Sequence, residues 1–293
     1  MLNTFWKYLE FEKRYSRHTL ASYQNDINQF VRFLESQYQV HNLLKAEHRH
    51  IRAWIVALMQ EQINPKSINR KIISLRTFYK FAISREGIKQ NPTQKIKALK
   101  TSKELPQFVQ EKEMDNLLSI IEFADDFEGS RDALIMELLY GTGIRLSELL
   151  GLKYSDFNMQ AKTIRVLGKG NKERIIPFHN KILSRLNSYI SHKNKTFSGN
   201  GNIALIVSNN GNEAYPMMIN RITKKYLNQV TTISKTSPHI LRHTFATHLL
   251  NKGADLNAVK DLLGHSSLAA TQVYTHNSLD KLKKVFDQAH PKA

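Results

Sequence analysis

Apolar residues recur at helical spacing along most of the chain, and from Glu111 onward the pattern is broken once, between Lys162 and Phe178. A period near 3.6 residues requires helices that each bury one stripe. The interrupted stretch, KTIRVLGKGNKERIIPF, instead holds two strand-like runs around a Gly-Lys-Gly-Asn-Lys turn. The expected fold is therefore mainly α with a small β-hairpin or sheet. Near the N-terminus, Leu20, Tyr23, Ile27, Phe30, Val31 and Leu34 form a stripe that follows Ser16 and Thr19, either of which suits a helix cap. Ile51, Trp54, Ile55, Leu58 and Met59 form a second stripe. Ile68, Ile72, Leu75, Phe78, Tyr79 and Ala82 form a third, starting near Pro65 and stopping before Gly87. With Phe5, Trp6 and Leu9 these predict an all-helical bundle over residues 1–90. Its polar faces carry Arg17, His18, Lys66, Arg70, Lys71 and Arg76, which are either a polyanion grip or an ordinary solvated surface.

Asn91-Pro92 opens a poorly periodic stretch with Lys95, Lys97, Lys100 and Lys103, read as a basic linker over 91–107. Residues 108–293 are then a second domain, helical apart from the hairpin, with the apolar run Ile203 to Val207 expected as a further strand. A chain of 293 residues is long enough for two domains with separate cores. Charge narrows the partner: 43 Lys plus Arg against 25 Asp plus Glu leaves a formal +18. Residues 1–105 hold 19 basic and 8 acidic residues, so the excess is steepest at the N-terminal end. Such a balance suits a polyanion, and DNA is the expected partner. The chain has no cysteine, which excludes disulfides, thiolate metal sites and thiol nucleophiles. Charges at Lys7, Glu10, Glu12, Lys13 and Arg14 break any secretory signal, and no run approaches the ~20 apolar residues of a membrane span. A cytoplasmic protein without membrane attachment is expected.

Four segments bear on chemistry. Gly141-Thr-Gly-Ile-Arg145-Leu-Ser-Glu148 places Arg145 at the start of an apolar helix, where it is either a functional cation or the i, i+3 partner of Glu148. The hairpin turn, Gly168-Lys169-Gly170-Asn171-Lys172-Glu173-Arg174, carries cations on a flexible tip from which a lysine can donate a proton, although a basic turn is commonly only solvated. Ser237-Pro238-His239-Ile-Leu-Arg242-His243 begins a helix with His239 and Arg242 on one face, able to address one phosphate together. Leu241, Phe245, His248 and Leu249 lie on the opposite stripe, so His248 reads as a core residue. Gly264-His265-Ser-Ser follows a helix stop, and Tyr274 lies further along the next helix, where by itself it reads as packing. No metal or other cofactor is expected. There is no His-Glu-x-x-His, His243 and His248 are i, i+5, and no carboxylate cluster suits a metal-dependent nuclease.

Taken together, these segments resemble the tyrosine recombinase (phage-integrase-like) family, and within it the bacterial chromosome-dimer recombinases of the Xer type. The layout is similar across nearly the whole chain, down to the Ala289-His-Pro-Lys-Ala end. The resemblance implies an N-terminal SAM-like core-binding bundle and an α+β catalytic domain, whose amphipathic tail with Leu279, Leu282, Val285 and Phe286 either docks on a neighbouring subunit, as the family's terminal helix does, or caps its own domain. It implies Arg145, Lys169, His239, Arg242, His265 and Tyr274 as the catalytic set, with Tyr274 the nucleophile that forms a 3′-phosphotyrosine. Two guanidiniums, Arg145 and Arg242, suit a metal-free phosphate clamp because they stay protonated and bind oxygens bidentately. His265 would add a hydrogen bond, Lys169 would protonate the leaving 5′ oxygen, and His239 would take the tyrosine proton. Glu148 would orient the others. Storing bond energy in the phosphotyrosine implies no need for ATP or metal.

The implied partners are double-stranded DNA with a specific recombination site, a tetramer on two duplexes formed either by this chain alone or with a second Xer-type recombinase, and a septal DNA translocase. The implied role is resolution of chromosome dimers at a replication-terminus site, with an integrase of a phage or mobile element as the alternative. A DNA-binding protein with a vestigial site, or a type IB topoisomerase, would share parts of this pattern.

Overall fold

The structure is a computed structural model that describes residues 1–86, 88, 90–102, 107–168, 172–197, 204–264, 286 and 289. The chain divides into two compact units, Met1–Glu104 and Leu105–Ala293.

In the first unit, α1 (Leu2–Lys7) runs into a π-helical turn (Tyr8–Glu12), followed by α2 (Arg17–Tyr38), α3 (His48–Gln60) and α4 (Pro65–Glu86). Ser16 caps α2, its hydroxyl accepting the Thr19 N–H at 3.3 Å. The three apolar stripes meet in one core with Phe5 and Leu9, where the Phe30 and Trp54 rings lie 4.9 Å apart and the Tyr79 hydroxyl donates to Leu43 O at 2.8 Å. Polar chemistry also holds this core. The Asp26 carboxylate on α2 is fully buried and accepts from Arg70, Lys71 (3.1 Å) and Ser74 (2.8 Å) on α4. Residues of the lysine-rich stretch lie along α4 as well. Asn69 pairs with the backbone of Leu99 through its N–H and C=O, Arg76 donates to Ile96 O, and Ile96 is buried. Arg70, Lys71 and Arg76 are thus anchored within their own unit, while Arg17, His18 and Lys66 are exposed.

In the second unit, α5 (Glu111–Asp115) leads through a π-helical turn (Asn116–Ile120) to α6 (Phe127–Thr142) and the short α7 (Leu146–Leu150). The strands β1 (Phe157–Asn158), β2 (Thr163–Leu167) and β3 (Glu173–Pro177) follow, then α8 (Asn180–Thr196), α9 (Pro216–Leu227), α10 (Pro238–Asn251) and α11 (Leu256–Leu263). Helix α6 is buried on all sides from Gly129 to Thr142 and packs against α8 and α10, which explains its apolar sequence without a polar face. Among the described residues the sheet is antiparallel in the order β1-β2-β3, with Val166 opposite Arg174. The hairpin is where its sequence places it. The run at 203–207 differs from expectation: its described part makes only isolated bridges, Lys153 to Ala204 and Val207 to Glu213, and the third strand is the two-residue β1 instead. The chain turns back through the polar loop 208–212 straight after Val207, which leaves too few residues to build a ladder. Of the two readings of the tail, Phe286 follows the one in which it packs on its own domain: it is buried in the core of its unit, stacked on His179 at 4.5 Å. Among the described residues no helix is long and apolar enough to cross a membrane.

The Asp26 cluster makes a quantitative prediction. Asp26→Ala leaves Lys71 with a half-satisfied ammonium in the α2–α4 interface and is expected to lower the unfolding free energy by about 3 kcal/mol. Arg70→Ala removes a half-exposed partner and is expected to cost less than about 1 kcal/mol. Urea denaturation of both variants checks the order.

Candidate active site

Helix α6 ends at Gly143 with φ of +61°, and a Cβ there would lie 2.4 Å from Cδ1 of the Phe245 ring, so the turn requires glycine. The chain then reverses and sets Arg145 at the N-cap of α7. Glu148, three residues on, caps the helix in the capping-box manner, accepting the Arg145 N–H at 2.7 Å. The same carboxylate accepts from the Arg145 guanidinium at 2.8 Å, realising the i, i+3 pair.

Glu148 has a second partner. Arg174 on β3 projects inward, with its side chain 5% exposed, and its two terminal nitrogens meet the two Glu148 oxygens at 2.7 and 2.8 Å. This is a fork-on-fork pair, the strongest geometry available to a carboxylate. Burial alone would raise the Glu148 pKa, but the hydrogen bonds and charge of Arg174, with those of Arg145, hold it down at about 2.

The end of α11 joins the same cluster. Three successive carbonyls each accept from a different arginine: Leu262 O from Arg174 Nε at 2.9 Å, Leu263 O from Arg242, and Gly264 O from Arg145 at 3.0 Å. Carbonyls at a helix C-terminus lack partners within the helix and sit at its negative end, so guanidiniums satisfy both needs. Arg242, on α10, also donates to Gly143 O at 2.5 Å. Arg145 and Arg174 thus pair with Glu148 directly, while Arg242 feels its charge without touching it. Burial lowers the Arg242 pKa to about 10, with Arg145 and Arg174 adding to the effect and Glu148 opposing it. Arg242 stays protonated at neutral pH, in a pocket that is short of negative charge. An anionic phosphate between Arg145 and Arg242 would relieve that excess.

His239 lies one turn before Arg242 on α10, whose start is set by Ser237 at the N-cap and Pro238 in the first turn, and it is exposed. His248 is a core residue, 3% exposed, with Nδ1 2.9 Å from the Tyr140 hydroxyl and its pKa lowered chiefly by burial. Lys169, His265 and Tyr274 lie outside the described residues. The flanks of two of them are described: the Gly168 N–H donates to Lys172 O at 2.8 Å across the hairpin end, and His265 directly follows Gly264. The structure brings Arg145 and Arg242 together at the end of α11, with Glu148 beside them. It adds Arg174, which in the sequence stands among the cations that follow Gly168. The signal was there in the alternation of β3, where Arg174 and Ile176 share the inward parity and Glu173 points outward.

Residues 107–280 match the phage integrase family, and residues 2–86 match its N-terminal SAM-like domain. The chain belongs to the phage integrase family of tyrosine recombinases. Tyrosine recombinase XerC of Staphylococcus aureus (strain NCTC 8325) is 40% identical over 291 residues, covering 99% of this chain and 96% of the relative. Tyrosine recombinase XerC of Chlorobaculum parvum is 35% identical, covering 100% and 94%. The XerH site-specific recombinase, solved bound to its palindromic difH substrate after cleavage, superposes with a TM-score of 0.70 at 22% identity, over 90% of this chain and 78% of that one. XerA recombinase does so with a TM-score of 0.50 at 26% identity, over 97% and 96%. The chain is a XerC-like, DNA-cleaving and rejoining enzyme whose fold is that of these recombinases.

Glu148 gives this recombinase a defined pH signature. Its folded pKa lies below the ordinary 4.5, so its contribution to stability is complete above about pH 4.5 and is lost as pH falls toward about 2. Glu148→Gln is expected to cost about 3 kcal/mol at pH 7 and less than about half of that at pH 3. Urea unfolding at the two pH values measures the difference.

Proposed function

We propose that this recombinase cuts DNA at a specific site through Tyr274 and uses Arg145, Lys169, His239, Arg242 and His265 as the rest of its catalytic set. The observation that carries the reading is the arginine cluster: the guanidiniums of Arg145 and Arg242 meet adjacent carbonyls at the end of α11, beside Glu148, which pairs with Arg145 and Arg174. The Tyr274 hydroxyl attacks the scissile phosphorus, forming a 3′-phosphotyrosine as the bond to the 5′ oxygen breaks. Arg145 and Arg242 hold the non-bridging oxygens, and His265 donates to one of them. His239 takes the tyrosine proton and Lys169 supplies one to the leaving 5′ oxygen. The 5′ hydroxyl of a partner strand reverses the step, so the energy of the broken bond is kept and neither ATP nor a metal ion enters.

Exchange of four strands with one nucleophile per subunit calls for a tetramer on two duplexes, formed by this chain alone or with a second Xer-type recombinase. The role that fits a XerC-like chain is resolution of chromosome dimers at a replication-terminus site, with a septal DNA translocase controlling the reaction. What supports it is identity of 35–40% to XerC proteins across the whole length compared.

A nicked suicide duplex carrying the site that the wild-type chain selects from randomised duplexes tests the chemistry. In EDTA and without ATP, wild type is expected to form a covalent 3′ adduct, and Tyr274→Phe none while still shifting the duplex in a gel. An adduct in Tyr274→Phe contradicts the assignment. Relaxation of a plasmid without the site would instead point to topoisomerase activity.

A further inference from the structure

We propose that Arg174 is a positioning residue for strand cleavage: it fixes Glu148, and through it the guanidinium of Arg145, while holding the last turn of α11 by the Leu262 carbonyl. The proposal rests on the recombinase reading above. Its support is that Arg174 touches three parts that the reaction must keep in register. It arises from β3, five residues after Lys169 along the chain. Its fork meets both oxygens of Glu148, whose other hydrogen bonds go to Arg145. Its Nε meets Leu262 O, next to the carbonyls that hold Arg242 and Arg145, at the end of the helix that leads into His265.

The space around Arg174 is shaped for it. A Cβ on Gly264, where φ is +62°, would lie 3.1 Å from Arg174 Cδ, and one on Gly168 would lie 3.5 Å from its Nη1 and 3.5 Å from a Glu148 oxygen. The glycine at the α11 cap therefore leaves the Arg174 side chain its room, while at Gly168 a Cβ would meet the guanidinium only at ordinary contact distance. Lysine cannot replace it. An ammonium is a single point of charge and does not span two carboxylate oxygens and a carbonyl in one plane. Without the fork, Glu148 keeps only Arg145, and the remaining anchor of Arg145 is Gly264 O at the end of the turn that Arg174 no longer holds. A displacement of about 1 Å in a phosphate clamp is enough to slow a reaction on the order of 10²-fold.

The alternative is a buried ion pair that serves stability only. A comparison of two substrates separates the two. Replacing one non-bridging oxygen of the scissile phosphate by methyl makes it neutral and relaxes the demand for exact guanidinium placement, whereas folding is indifferent to the substrate. The selected site is built as a nicked duplex with either a phosphodiester or a methylphosphonate, and release of the labelled 5′-hydroxyl fragment is followed at saturating protein. The ratio of the two rates does not depend on how much of a variant is folded. In Arg174→Lys the methylphosphonate-to-phosphodiester ratio is expected to rise by about tenfold or more over wild type. An unchanged ratio overturns the inference, even if both rates fall. Tyr274→Phe is run alongside on the phosphodiester: an adduct there overturns the recombinase assignment and the inference with it, while loss of the adduct together with an unchanged Arg174→Lys ratio overturns the inference alone.

Discussion

The ion pair between Glu148 and Arg174, shared with Arg145, is the contact on which the second unit's site depends. A carboxylate offers about four lone-pair directions. Glu148 directs them to the Arg145 N–H, the Arg145 guanidinium and the two ends of the Arg174 fork, with its side chain 1% exposed. Without it, three guanidiniums would face one another in a partly dry pocket. With it, they tie the α6–α7 turn, the hairpin and the end of α11 to one point. An arrangement that holds more positive charge than its own carboxylate balances is strained toward an anion, which is the property a metal-free phosphate site needs.

Much of this fold could be read from residue spacing. The first unit's helices follow their apolar stripes, and their ends lie where Ser16 and Pro65 put them. In the second unit Pro238 and Gly264 mark the start of α10 and the end of α11 for local reasons: a fixed φ at the start, a left-handed residue at the finish. Features that depend on distant partners were not legible. The strand β1 is two residues long and exists through pairing with β2. The run ending at Val207 has strand-like composition, but composition does not say that its neighbours will offer only isolated bridges. Phe286 belongs to an amphipathic tail whose apolar face fits a neighbour's surface or its own core equally well on paper; here it stacks on His179.

The site was legible in part, for a similar reason. Arg145 and Arg242 belong to motifs whose order along the chain is informative, and the structure places both on the last turn of α11. Arg174 belongs to a basic turn, a setting in which a cation is normally solvated. Its role follows from strand parity and from the side chain across the pocket, and only the fold supplies the second. Basic residues in the first unit teach the converse lesson. Arg70, Lys71 and Arg76 look like part of a DNA-facing surface, yet each has a partner within the unit, so net charge counts candidates without saying which of them are uncommitted.

The central claim is that the arginines gathered by Glu148 are the phosphate site. The most direct test is a crystal structure of the chain on its nicked site with vanadate bridging Tyr274 and the 5′ hydroxyl. The account predicts nitrogens of both Arg145 and Arg242 within about 3.2 Å of the equatorial oxygens, with Arg174 still on Glu148. Vanadate held without either arginine, or with the Glu148–Arg174 pair broken, would contradict it.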